Sequence, residues 1–201
     1  AVANRTALFD ENGEKAADFD AVLTVDGAYK AADFINFCDA YDIPVLSLTN
    51  VKGYAADVRS EKSIAKAVAK LTYAFANANV PKVNVITGEA YGSAYVTMNS
   101  KALGADVTYA WPDASIGMMD ANEAAKIMYA DDIAKSADVQ SVISEKAAEY
   151  AALQSGVESA AARGYVDTII NPEDTRKYVA AAFEMLYTKR EDRPDKKHGT
   201  V

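Results

Sequence analysis

The chain has 201 residues, 50% of them apolar, with 21 Lys and Arg against 29 Asp and Glu and a formal net charge of −8. That length suits one ordinary domain with a sizeable core, and the acidic balance disfavours nucleic-acid backbones and anionic lipid surfaces as partners. A single cysteine, Cys38, excludes an internal disulfide and a cysteine-based structural zinc site; this points to a reducing, cytoplasmic setting. No run approaches a membrane span, and no basic-then-apolar leader opens the chain. Ala1 stands where an initiator Met would, as expected of a processed protein or of a segment of a longer one.

Ala31, Phe34, Ile35, Cys38 and Tyr41 recur at helical steps, predicting a helix from Gly27 with Asp26 as N-cap. Pro44 opens a strand over 45–48, since proline is tolerated at a strand's first position. Ile64, Val68, Leu71, Phe75 and Ala78 form the seam of a helix over 61–79. Pro81 then opens a strand over 83–87, followed by a glycine-bearing turn at 88–94 and a helix through Lys101. Another strand covers 107–111 and stops at Pro112, with a short apolar piece at 115–119. Helices follow over 120–129 and 137–162, and Gly164 supplies a stop before an apolar run at 165–170. Asn171 as N-cap, Pro172 at the first helical position and Glu173 and Asp174 in the first turn open a last helix. Residues 189–201 form a charged tail on a single domain spanning 1–201. Strands alternating with helices imply an α/β layered domain with mostly parallel connections. AADF occurs at Ala16 and again at Ala31 without any longer period, so no repeat architecture is implied.

The missing chemistry is informative. The one histidine, His198, lies in the tail, so a Ser-His-Asp triad or histidine metal cluster would need that tail folded over the core. No P-loop or Gly-x-Gly-x-x-Gly run occurs. The Asp10 to Gly13 run fails as a calcium loop and reads as a surface turn, and Asp131-Asp132 reads as a solvated pair. What remains is the junction at 88–94, where a strand enters a helix and leaves the first helical N–H groups unpaired. Such amides can hold an oxyanion without any ionising side chain. The same small residues also suit close packing of a helix on a strand, and the pattern alone does not choose between the two readings.

The wording of several runs is more specific. Residues 70–75, 80–95, 98–101 and 110–112, together with 37–44, 164–170 and 193–199, closely resemble the C-terminal half of the carboxyltransferase of biotin-dependent acyl-CoA carboxylases and decarboxylases. The resemblance covers nearly the whole chain in order. It implies a crotonase-like fold, a spiral of strand-strand-helix units, and two such halves per carboxyltransferase. In that family the N-terminal half grips the acyl-CoA, and the C-terminal half of a partner subunit receives carboxybiotin delivered by a biotin carboxyl carrier protein. The implied assembly is a homo- or hetero-oligomer with no nucleic acid and no metal, joined in decarboxylases by a membrane subunit.

The family's Ala-Tyr-Gly-Gly-Ala-Tyr motif supplies two backbone amides, which fall here on Ser93 and Ala94. Tyr91, Gly92, Tyr95 and Val96 complete the implied substrate and biotin contacts, with Val96 at the position that lines the acyl pocket. Serine replaces the second glycine, and its N–H serves only if its backbone stays in a conformation open to L-residues. The family's Asp-x-Pro-Gly-Phe loop departs further: residues 50–61 keep only Gly53 and the aromatic Tyr54 as candidate biotin contacts. Losing the proline and second glycine removes features that fix such a loop. The first reading is therefore a carboxybiotin-side half acting on a short-chain acyl-CoA of the acetyl, propionyl or methylmalonyl type. The second is a scaffold subunit with a degenerated biotin loop. A third is a self-sufficient hydratase with Glu89 as acid or base.

Overall fold

A computed structural model describes residues 1–136 and 138–191. Ala137, His198 and the run at 193–199 lie outside the described residues. In chain order the elements are β1 (Val2–Ala3), β2 (Ala7–Phe9), β3 (Lys15–Asp18), β4 (Val22–Leu23), α1 (Val25–Ala40), β5 (Val45–Val51), β6 (Gly53–Tyr54) and α2 (Val58–Asn77). The second half adds β7 (Lys82–Tyr91), α3 (Gly92–Thr97), β8 (Val107–Ala110), β9 (Ser115–Gly117), α4 (Ala121–Met128), α5 (Ala130–Lys135), α6 (Val139–Tyr150), α7 (Val157–Ala162), β10 (Thr168–Ile169) and α8 (Thr175–Met185).

β1, β5, β7, β8 and β10 lie side by side in that order, every pairing parallel. Parallel neighbours need long crossovers, and the helices between successive strands supply them. The first part of β7, Val83 to Ile86, pairs with β8, while Glu89, Ala90 and Tyr91 pair with β9. β4 pairs with β6 in a second small layer. Strand, short strand, helix thus repeats along the chain as a spiral, as the family resemblance implies, and the parallel connections are those that the α/β alternation predicts.

Period-two alternation along β7 sends Val83 and Val85 to the α8 side, where they cluster with Tyr109, Val179 and Ala182. Ile86 faces the opposite core with Leu71, Phe75, Ala94 and Met98. Both faces of the central sheet are covered, as an all-parallel sheet requires.

The helix seam at 25–40 differs from the one predicted. Val25, Ala28, Ala32, Ile35 and Cys38 are buried, whereas Phe34 and Tyr41 are exposed. Ala28 and Ala32 are fully buried with Ile35 and Cys38 in the main core, and that packing outweighs the bulkier stripe. Thr24 is the N-cap, accepting from the Gly27 N–H, and Asp26 instead receives two hydrogen bonds from Arg59, at 2.8 and 2.5 Å. The predicted helix over 137–162 is two helices. A π turn at Ala151–Ser155 and an extended Gly156 separate α6 from α7. Asn171 makes no side-chain cap: a 3-10 turn at Pro172–Asp174 precedes α8. The Asp10 run is the surface turn expected, with the Asp10 carboxylate accepting from the Asn12 and Glu14 N–H groups at 2.9 and 2.8 Å.

Candidate functional site

The predicted glycine turn at 88–94 is a single residue. β7 continues through Gly88 to Tyr91, and α3 begins at Gly92. Gly88 is a strand residue whose missing side chain admits Asn50, since a Cβ there would lie 2.7 Å from Asn50 Oδ1. That same oxygen accepts from the Glu89 N–H at 3.0 Å. Gly92 makes the turn at φ +58°, and a Cβ on it would meet the Met118 carbonyl oxygen at 3.0 Å. Backbone hand and close approach both demand glycine here.

Ser93 meets its condition. Asp42 and Asn99 are the non-glycine residues at positive φ among the described residues, so the serine Cβ is accommodated without backbone strain. Gly92, Ser93 and Ala94 occupy the first turn, whose N–H groups have no acceptor within a helix. No carbonyl outside the helix takes up the Ser93 or Ala94 N–H among the described residues. α3 has only six residues and ends before Met98 rather than at Lys101; what it offers is a pair of donors, not a long helix dipole.

Ser93 is exposed on the wall of a cleft of about 460 Å³. Gly92, Ser93, Tyr95 and Val96 form one side. Ile116, Gly117 and Met118 at β9 form another, and Arg163 and Tyr165 beyond α7 contribute a third. The structure thus brings four of the expected residues together. Ala94 is not on the cleft wall: the whole residue is 1% exposed, buried in the core one position behind Ser93 in the same first turn. Tyr91 does not line the cleft: it is buried behind the junction, its hydroxyl hydrogen-bonded to Ser115 Oγ at 2.8 Å. Gly53 and Tyr54 are also off the cleft wall, on β6, which packs beside α3. Met118, Arg163 and Tyr165 escaped sequence reasoning because they come from distant segments. The Gly164 stop was the one visible hint of the last two.

The two buried phenols of the junction, Tyr91 and Tyr95, are not poised for acid–base work. Burial pushes the Tyr95 hydroxyl up to about 12, and its oxygen is buried without a hydrogen-bond partner among the described residues. Burial also raises Tyr91, partly offset by its bond to Ser115. Glu89 is absent from the cleft wall, which removes the acid that the hydratase reading required. Among the described residues no group of three or more His, Cys, Asp or Glu side chains could hold a metal ion, and no helix is long and apolar enough to cross a membrane.

The platform beneath α3 is a buried polar network. Thr49 Oγ1 donates to Asn84 Oδ1 at 2.8 Å and approaches the Met98 carbonyl at 3.2 Å. Ser47 Oγ lies 3.1 Å from Asn84 Oδ1, and Asn99 Nδ2 donates to Ser47 Oγ at 3.0 Å. Asn99, at φ +59°, turns the chain after α3 and ties it to β5. The altered loop at 50–61 is likewise held, without the proline. The β4–β6 pairing anchors Gly53 and Tyr54, and the Ala55 N–H donates to the Leu23 carbonyl at 3.0 Å. Asp57 caps α2, accepting from the Arg59 and Ser60 N–H groups at 2.9 Å. The backbone and hydroxyl hydrogen bonds from Ser60 hold its carboxyl below the ordinary carboxylate range.

Comparison with known proteins places this geometry. Residues 1–201 match the family described as carboxyl transferase domain. The chain is 46% identical over 184 residues to the propionyl-CoA carboxylase beta chain of Saccharopolyspora erythraea, covering 89% of this chain and 34% of that protein. It is 43% identical over 178 residues to the methylmalonyl-CoA carboxyltransferase 12S subunit of Propionibacterium freudenreichii subsp. shermanii, with coverage of 88% and 34%. Among solved structures, a transcarboxylase 12S hexamer with methylmalonyl-CoA and methylmalonic acid bound matches with TM-score 0.84 and 42% identity, over 89% of this chain and 34% of that one. The chain spans about a third of the length of these relatives. With a family match along its whole length and the spiral seen in its structural neighbours, the chain belongs to the carboxyl transferase domain family and has the crotonase-like fold.

Proposed function

We propose that the chain is the carboxybiotin-side half of a carboxyltransferase, moving a carboxyl group between biotin and the α-carbon of a short-chain acyl-CoA, and that it acts only with an N-terminal half. The observation that carries this is the free Ser93 N–H on the cleft wall, at the position of the family's amide donor. Val96, Ile116 and Met118 give the cleft apolar walls, which suit a neutral ring such as biotin's and strengthen hydrogen bonds made inside. Biotin, carried on a separate carrier protein, supplies the transferable carboxyl group and the ring nitrogen that serves as base. The Ser93 and Ala94 amides donate to the developing ureido oxyanion, and Gly92 and Asn99 hold those donors in place before reaction. Val96 faces the acyl side with an apolar surface, consistent with a short unbranched or methyl-branched chain.

The scaffold reading rested on a loosened loop at 50–61. The cap at Asp57 and the β4–β6 pairing supply the rigidity that the missing proline does not, so the catalytic reading is preferred. Ser93→Pro deletes the amide hydrogen and Ser93→Ala keeps it. Assembled with the N-terminal half, the proline variant loses about 100-fold in transfer rate while the alanine variant stays near wild type, with melting curves checking that both fold. Full transfer by both variants rules out the oxyanion role.

A further inference from the structure

We propose that Arg163 is the carboxylate-recognising residue of this cleft: its guanidinium binds the carboxylate of the carboxylated acyl thioester and makes the site prefer that form over the uncarboxylated one. The inference rests on the carboxyl-transfer reading and adds to it a residue and a specificity. Arg163 is the one charged side chain on the cleft wall among the described residues, in a chain whose net charge is −8. Arg163 is exposed at the end of α7 and shares the cleft wall with Ser93, Val96 and Met118; a lone cation there marks where an anion belongs, because the apolar walls beside it focus its field into the cleft.

Its backbone is fixed. Arg163 is the C-cap of α7, and Gly164, at φ +81°, turns the chain there, with the Gly164 N–H bonded to the Ala161 carbonyl at 2.9 Å and the Tyr165 N–H to the Ala160 carbonyl at 3.0 Å. A cation at a helix end often serves only to cap the last carbonyls. Here the side chain donates instead through Nη2 to Gln154 Oε1. Gln154 is neutral, so it orients the fork without cancelling its charge. No carboxylate among the described residues pairs with Arg163. A guanidinium has five N–H donors, and a carboxylate accepts two of them in parallel. The Arg163 fork therefore retains donors for a second, anionic partner.

The test compares two ligands in the assembled protein, this chain with its N-terminal half. Affinities for methylmalonyl-CoA and propionyl-CoA, which differ by the carboxylate, are measured by titration calorimetry for wild type, Arg163→Gln and Arg163→Lys. The expected result is that Arg163→Gln weakens methylmalonyl-CoA about tenfold or more and leaves propionyl-CoA within about twofold, with Arg163→Lys between, since lysine keeps the charge and loses the fork. An unchanged ratio, or a parallel loss for both ligands as a purely structural role would give, overturns the proposal. A separate carboxyl-transfer assay tells the two claims apart. Lost discrimination in an assembly that transfers no carboxyl group sustains Arg163 and sinks the transferase reading. Active transfer with an unchanged ratio does the reverse.

Discussion

Gly92 and Ser93 divide the work of the junction: one takes the left-handed conformation, the other presents the donor. Gly92→Ala places a Cβ 3.0 Å from the Met118 carbonyl at a positive φ, and is expected to destabilise by about 1–2 kcal/mol, read by denaturant unfolding; an unchanged midpoint contradicts the strained turn. Tyr95 gives a second test. Because burial raises the phenol to about 12 while the unfolded chain ionises near 10, its ionisation opposes folding, and wild-type stability falls from about pH 10 upward relative to Tyr95→Phe. Below that range Tyr95→Phe removes a buried hydroxyl without a partner and is expected to be neutral or stabilising. The motif residues were legible because they are contiguous. Arg163, Met118 and Tyr165 were not, since no local pattern says that the ends of α7 and β9 meet the start of α3.

At the scale of elements, α3 is too short to hold itself and depends on what lies under it. Asn99 both turns the chain and donates to Ser47 at 3.0 Å. Asn99→Gly, which keeps the conformation and loses the bond, is expected to cost about 1 kcal/mol. Asn99→Ala costs about 1 kcal/mol more for the left-handed backbone, and equal losses would show that backbone strain plays no part. Asp57 couples the loop at 50–61 to pH. Its carboxyl is held below the ordinary value, so it contributes stability above the unfolded carboxylate pKa, and that contribution is lost as pH falls through the lower, folded value. The gap in melting temperature between wild type and Asp57→Ala is therefore wide at pH 7 and closes on acidification; a gap independent of pH contradicts the cap. Sequence periodicity found α2 nearly whole, because Leu71, Phe75 and Ala78 leave one choice of seam. It failed on α1, where two stripes satisfy the same spacing and only the tertiary packing that buries Ala28 and Ala32 selects between them. It also ran α6 and α7 together, because an alanine-rich composition hides the π turn at Ala151–Ser155 and the extended Gly156 that follows it.

Across the whole molecule, the parallel order of strands follows from helices intervening between them, and the sequence alternation showed that much. The short pairings, β4 on β6 and the end of β7 on β9, were barely legible: the apolar piece at 115–119 marks β9, but strands of two or three residues carry no period. Ile116 and Gly117 of β9 line the cleft beside Met118, which is 76% exposed, a surface that the proposed N-terminal half would cover. The most direct measurement follows labelled carboxyl from carboxybiotin to propionyl-CoA in mixtures of this chain and an N-terminal carboxyltransferase half. Label moves only when both are present and wild-type Ser93 or its alanine variant is used. A stable assembly that transfers no label, or turnover by this chain alone, contradicts the account.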